Sequence, residues 1–436
     1  MATEAAIFCG VDIGSTNLKV VLLDNSGDVL RRESRPTPRI EDEGGIATDA
    51  DALEDAVEAM MIAAHRAAGL TRAVAAVAIG GTGEEGVPID RAGRALDVAI
   101  PWFDRRASAA AEEMAARAPW AGASLPVPLD YSRTAAKWAW ARRHRPEMLD
   151  KADCWVALTD YPAARWAGRP FMSESLAART ACWHVGRRDW MQPLLADCGA
   201  PPLPPVVPGG TTLGSLSSAL LESAGVTDAE TKIVAGGHDH PMAALAVRQR
   251  HPNAIIDSMG TAELIYAEMP VQENAEGGQP PPHSYFAFSR PVWGEGRIAC
   301  LGVTELSAAL NPLLTDPGET GAAFRSVMAG SPIPGKPGDQ NAVRARLEAI
   351  TRETGARLAS LVSLGVPPGP LFVGGGWARS ISFLRLRANL LGRPIHRLEE
   401  TELSAYGAAV LAAWAVGASP PLRVAERIVE PGPDIE

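Results

Sequence analysis

Apolar positions in this chain change period several times, and each change marks an element. Ile7 to Val11 and Leu18 to Leu23 are short apolar runs rich in β-branched residues, separated by Gly14-Ser15-Thr16-Asn17. That pattern predicts two strands joined by a hairpin turn. From Asp51 to Ala68 the spacing becomes helical, with Leu53, Val57, Met60, Met61 and Ala64 on one face and Gly69 as the stop. Val74 to Ile79 predicts a further strand, which delivers the loop Gly80-Gly-Thr-Gly-Glu-Glu-Gly86. Residues 104–198 read as mostly helical, and their tryptophans are expected in core or interhelix packing. A Pro/Gly-rich stretch from Gly199 to Gly210 then predicts a link to a second unit.

Beyond it the alternation resumes. Ile233-Val-Ala closes a strand before Gly236-Gly-His-Asp-His-Pro241, and the apolar run after Pro241 predicts a helix. Ile255 to Tyr266 repeats the strand, Gly-Ser/Thr turn, strand pattern of the N-terminus, which suggests a duplicated fold. Leu371-Phe-Val runs into Gly374-Gly-Gly and a helix, and Ala405 to Ala418 reads as a buried helix too short to span a membrane. Pro270–Pro282 and Ser331–Gln340 read as surface loops. Alternating strands and helices over 436 residues predict an α/β chain of two units, placed at residues 1–232 and 233–436.

Charge narrows the partners. The net charge of −10 argues against nucleic acid and lends nothing to membrane-surface binding. Five scattered cysteines, odd in number and without a C-x-x-C pair, suit a reducing cytoplasm and form no zinc pattern. The N-terminus runs straight into a strand without a signal-type segment, so a cytoplasmic protein is expected, as a monomer or homodimer.

Candidate chemistry gathers at the glycine turns. Asp239, on a turn between strand and helix, is placed to accept a proton from a bound hydroxyl; the other reading is a helix cap. The Gly14–Asn17 turn can aim backbone N–H groups and two hydroxyls at a phosphate, with Lys19 adding a cation and Asp12 a magnesium ligand, or it is a plain hairpin. Gly260-Thr261 is its fainter copy, and the backbone of Gly375 and Gly376 can lie flat against a nucleoside.

These segments together resemble the FGGY family of carbohydrate kinases. Asp12-Ile-Gly-Ser-Thr-x-x-Lys19 is similar to its first phosphate motif and Gly260-Thr261 to its second. Gly374 to Ser380, continuing through Arg393-Pro394, Glu402 and Tyr406-Gly-Ala-Ala409, is similar to its adenosine motif. Ser132-x-Thr134-x-x-Lys137-Trp-x-Trp140 resembles a family signature, and Asp160-Tyr161 with Arg165-Trp-x-Gly168 follows the family pattern. The resemblance implies two ribonuclease-H-like (actin-like ATPase) domains with an active-site cleft between them, ATP and Mg2+ as cofactors, and a small sugar or polyol as substrate.

By the same resemblance Asp239 is the catalytic base. ATP would be bound by Gly14, Ser15, Thr16, Asn17, Lys19, Gly260, Thr261, Gly375, Gly376 and Ser380, with Asp12 at the metal. Glu84, Trp102, Asp104, Asp239 and His240 would face the acceptor, a ketose such as a pentulose or a C3–C5 polyol. Glu84 and Glu85 compete for the acceptor position, and Gly83 stands where glycerol kinases have an arginine. Trp377 occupies a position where the family usually has a small residue. The alternatives are a regulator of the same fold that binds nucleotide and sugar without transfer, or an ATPase or acyl-phosphate kinase of the wider actin-like group.

Overall fold

A computed structural model of the chain describes residues 6–117, 125, 127–260, 262–272, 278, 280–281, 283–335, 341–400 and 402–432. Two sheets organise it. In the first, Val29–Pro36, Asn17–Asp24 and Ile7–Ile13 form an antiparallel meander. Ala76–Gly81 and then Lys232–His238 continue the sheet parallel to Ile7–Ile13, and Thr212–Ser215 closes the far edge. The second sheet repeats the order. Arg297–Thr304, Glu263–Pro270 and Ile255–Met259 form the meander, and Leu371–Gly374 and Ile395–Leu398 follow in parallel. Each sheet therefore has the ribonuclease-H-like arrangement, and the duplication read from the two glycine hairpins is real at the level of strand order.

Local sequence explains these elements well. Ile7–Ile13 is buried at every residue, as a central strand covered on both faces must be. Val29–Pro36 carries Arg31, Arg32, Glu33 and Arg35 and lies at the edge, where charge discourages pairing with another chain. The first long helix is Ala50–Ala67; Asp49 caps it by accepting from Ala52 N at 3.0 Å, and Gly69 leaves it at φ +65°.

The division expected after residue 232 is corrected by the topology. Lys232–His238 is hydrogen-bonded to Ala76–Gly81, so this strand and the Asp239 that follows it belong to the first sheet. The Pro/Gly-rich stretch 199–210 accordingly leads back into the first sheet, through Thr212–Ser215, rather than on to the second. Packing within this sheet requires a glycine at position 236: a Cβ there would lie 1.7 Å from the Ile79 carbonyl oxygen.

The C-terminal helix Leu403–Ala415 also crosses between the halves. Its Ala408, Leu411 and Ala412 pack with Phe8, Ala76, Ala78 and Val234 of the first sheet. A Cβ at Gly10 would sit 1.9 Å from the Ala405 carbonyl oxygen, and one at Gly407 would sit 2.0 Å from that of Met242. Gly10→Ala should therefore force strand and helix apart and cost about 1–3 kcal/mol or more, as overpacking does. Denaturant unfolding checks it; parental stability would mean that this contact is looser than the geometry indicates.

The region 104–198 mixes helices such as Ser108–Ala116 and Thr134–His144 with the strand Cys154–Ala157, which pairs with Gly86–Ile89. Trp138, Trp155, Trp166 and Trp183 are buried in packing as expected, with Trp138 and Trp155 meeting edge to face at 5.3 Å and Trp183 meeting the half-buried Trp190 at 4.9 Å; Trp120 lies outside the described residues. Among the described residues no helix is long and apolar enough to cross a membrane.

Candidate active site

Asp239 is the first residue of helix Asp239–Arg248, at the carboxyl end of strand Lys232–His238. Its Oδ1 is buried and makes no hydrogen bond; His238 Nε2 and His240 Nε2 approach it only to 3.5 and 3.4 Å. Burial, reinforced by the charge of Glu84, raises the Asp239 carboxyl to about 7. Burial also pushes His240 down to about 4 and His238 well below its ordinary value, so both imidazoles are neutral near pH 7. A carboxylate with an open oxygen and a pKa near neutrality suits a general base. Asp239 is the first residue inside the helix, and the N-cap position is held by His238, whose side chain makes no capping hydrogen bond.

Asp12 sits at the end of the first strand, and its Oδ1 is likewise buried without a partner. Burial lifts Asp12 to about 6; Lys19 opposes that rise while Asp239 and Glu402 add to it. Lys19 Nζ lies 3.4 Å from Asp12 Oδ2 and 3.0 Å from Glu402 Oε2, so the cation joins the two halves of the molecule. Burial works against the Lys19 charge, but the two carboxylates outweigh it and its pKa is raised. Ser404, from the C-terminal helix, donates to the Asp239 carbonyl at 3.2 Å.

The first glycine turn is built as expected. Gly14 N donates to the Asn17 carbonyl at 3.2 Å, Thr37 Oγ1 donates to the Gly14 carbonyl at 2.6 Å, and Thr16 is exposed at the tip. Gly260 directly follows the corresponding strand of the second sheet, Ile255–Met259; Thr261 lies outside the described residues. Gly375 has φ +95°, and a Cβ there would lie 2.6 Å from the Met259 carbonyl oxygen, while Gly376 faces open space. Ser380 does not join them. Its buried hydroxyl donates to the Val327 carbonyl at 2.7 Å and accepts from Phe383 N at 3.2 Å, capping helix Ile381–Leu391. Trp377 is half-buried, and its Nε1 donates to Ser307 Oγ at 3.2 Å.

The two glutamates expected to compete for the acceptor position separate. Glu84 Oε1 accepts from Arg133 Nη1 at 2.9 Å and from Arg179 Nε at 2.7 Å, all within a buried cluster. Burial alone would raise the Glu84 carboxyl, yet Arg179 and Arg133 hold it far below the usual range. Glu85 turns the other way, accepting from Arg39 Nη1 at 3.1 Å. Lys137 gives the signature segment a structural role: its Nζ donates to the carbonyls of Glu84 and Ile100, 2.9 Å each, tying those two loops together. Trp102 is half-buried with Phe103 edge-on at 5.7 Å. Asp104 is engaged by Arg106, whose Nε donates to its Oδ1 at 2.9 Å.

Sequence reasoning did not single out Arg133, Arg179 and His238, which the structure gathers around Glu84 and Asp239. Arg133 is an unassigned position inside the signature, and His238 adjoins Asp239. Arg179 had no local signal, since only folding carries it to the Gly83–Glu84 loop.

The N-terminal-domain description of the FGGY family of carbohydrate kinases matches residues 7–246, and its C-terminal-domain description matches residues 318–416. The chain is 27% identical over 459 residues to a xylulose kinase of Streptomyces rubiginosus, covering 98% of this chain and 91% of that one. It is 23% identical over 459 residues to a gluconokinase of Bacillus subtilis, covering 94% and 87%. In fold it is similar to a xylulose kinase from Rhodospirillum rubrum, with TM-score 0.85, 21% identity, and 98% and 94% of the two chains covered. With a family description matching more than half of its length and the duplicated sheets in place, this chain belongs to the FGGY family of carbohydrate kinases.

Proposed function

We propose that the protein transfers the γ-phosphoryl group of ATP to a hydroxyl of a small sugar or polyol, with Asp239 as the general base. The observation that carries this reading is the open, buried oxygen of Asp239, raised to about 7, beside the Asp12–Lys19 pair and the Gly14 turn. Relatives named for xylulose and gluconate phosphorylation support a sugar-type acceptor. Transfer needs mainly positioning and charge neutralisation. The Gly14–Asn17 turn, Lys19 and the Gly260 turn are assigned to the phosphates, and the Gly375–Gly376 backbone to the nucleoside.

Magnesium takes one or two carboxylates together with phosphate oxygens and water. Asp12, with its orphaned buried oxygen, fits that requirement, and the ion would supply charge neutralisation at the phosphates. Retention of both Asp239 and Asp12 weighs against the non-catalytic regulator. ADP release measured with a panel of C3–C6 polyols, ketoses, aldoses and their acids tests the function; release unaffected by every acceptor would sink it.

Thr16→Val should weaken ATP use without reordering acceptors or shifting stability, since the residue is exposed and its β-branched shape is kept. KM values for ATP and two acceptors check this. A changed acceptor order would move the turn to the sugar site.

A further inference from the structure

The ion cluster around Glu84 bears on what the acceptor is, given the phosphoryl-transfer reading above. Two guanidiniums meet on one carboxylate oxygen: Arg133 and Arg179 both donate to Glu84 Oε1. Neither Glu84 Oε2 nor Arg179 Nη1 has a hydrogen-bond partner among the described residues, and neither is sealed off by protein. Arg133 has one more acid near it, Asp130 at 3.5 Å, but that side chain is 40% exposed and its charge is weakened by solvent. Lys137, also buried, is held by carbonyls rather than by a carboxylate. Glu85 is paired with Arg39. His238 and His240 are neutral.

Positive charge on this side of the site thus exceeds negative. Arg179 depresses the pKa of Arg133, after burial itself, as expected of two like charges with a single carboxylate between them. Gly83 shows how Arg179 gets there. A Cβ at position 83 would lie 2.4 Å from Arg179 Cγ and 2.6 Å from His238 Cδ2, so the missing side chain is the space through which the arginine passes. A planar guanidinium with a free edge is matched to a carboxylate better than to a lone hydroxyl.

We propose that Arg179, backed by Arg133, selects a sugar acid as the acceptor, its carboxylate lying against Arg179 Nη1 while a hydroxyl of the same molecule faces Asp239. In the transfer that hydroxyl oxygen bonds to the γ-phosphorus and the bond from that phosphorus to the β-phosphate bridging oxygen breaks. The electron pair leaves with ADP and the hydroxyl proton goes to Asp239. The products are a phosphorylated sugar acid and ADP.

The test compares C4–C6 aldonates with the alditols of the same carbon skeletons and with xylulose, by coupled ADP detection on the full chain. The best aldonate should exceed its alditol and xylulose by at least about tenfold in kcat/KM. Arg179→Met should lower that aldonate's kcat/KM by about a hundredfold while changing its alditol's far less. Arg179→Lys, which keeps the charge, should retain the acid-over-neutral order. A neutral acceptor ranking first in the parent protein overturns the proposal, as does an equal loss on acid and neutral acceptors in Arg179→Met. Aldonate binding without ATP, read as a thermal shift, separates the two layers. An Arg179-dependent shift with no ADP release from any acceptor would defeat the kinase reading and leave acid recognition standing; release with neutral acceptors and no aldonate shift would do the reverse.

Discussion

Asp239→Asn should lower kcat by on the order of a hundred- to ten-thousand-fold while leaving ATP affinity close to the parent's. The carboxylate oxygen lost in this variant has no hydrogen bond to give up, and the Gly14 turn is on a separate strand. In the parent, kcat/KM for the acceptor should rise with pH through about 7, as Asp239 loses its proton, and this limb should vanish in the variant. Stability should move the other way. Asp239 ionises near 3.8 in the unfolded chain and near 7 in the folded one, so its contribution is fullest at low pH and is lost as pH rises between those values. Asparagine holds no such proton, so the thermal midpoint of the variant should gain on the parent's as pH rises from about 4 to about 7 and level off above that. Near-normal turnover on the best acceptor would remove Asp239 from the base role.

Glu84→Ala is the second large effect, and it falls on fold and substrate together. Arg133 and Arg179 are buried, and both spend their best hydrogen bonds on this carboxylate. Removing one member of a buried ion cluster costs about 3–5 kcal/mol, because the remaining charges stay desolvated. Unfolding in denaturant should show that loss, and the acceptor KM should rise before the ATP KM does. Glu85→Ala is the contrast. Its partner Arg39 keeps the Ser15 carbonyl at 3.0 Å and Thr48 Oγ1, so the disturbance should reach the phosphate turn and leave the acceptor unaffected. Parental stability and acceptor KM in Glu84→Ala would mean that the cluster is not the structural floor of the acceptor site.

The contrast between these two glutamates marks how far the sequence could be read. Adjacent residues on one strand-to-loop segment are chemically identical, and only the partners brought by folding separate them. Glu84 faces arginines 49 and 95 residues away, and Glu85 faces one 46 residues away. Ser380 teaches the same lesson in reverse. It follows a glycine turn, as a nucleotide-binding hydroxyl might be expected to, but the Val327 carbonyl and Phe383 N take both of its hydrogen-bonding roles.

Features with local causes were legible. The helix expected from Asp51 to Ala68 is Ala50–Ala67, because its cap, its apolar face and its glycine stop lie within one short window. The hairpin at Gly14 and the strand at Leu371 were readable for the same reason, since turn residues and β-branched runs act on their neighbours. The repeat of strand, glycine turn and strand at Ile255 announced the duplication.

By itself, then, the sequence determined the elements, the two glycine hairpins, the duplicated α/β plan and the motif order that marks the family. Those properties arise from interactions within a turn, a strand or a helix face. Tertiary structure alone decided that Lys232–His238 joins the first sheet, that the C-terminal helix packs back across that sheet, and that Arg179 passes over Gly83 to reach Glu84. Each of these is a close approach between segments tens to hundreds of residues apart, set by backbone clearance and buried charge, and neither quantity exists until the chain has folded.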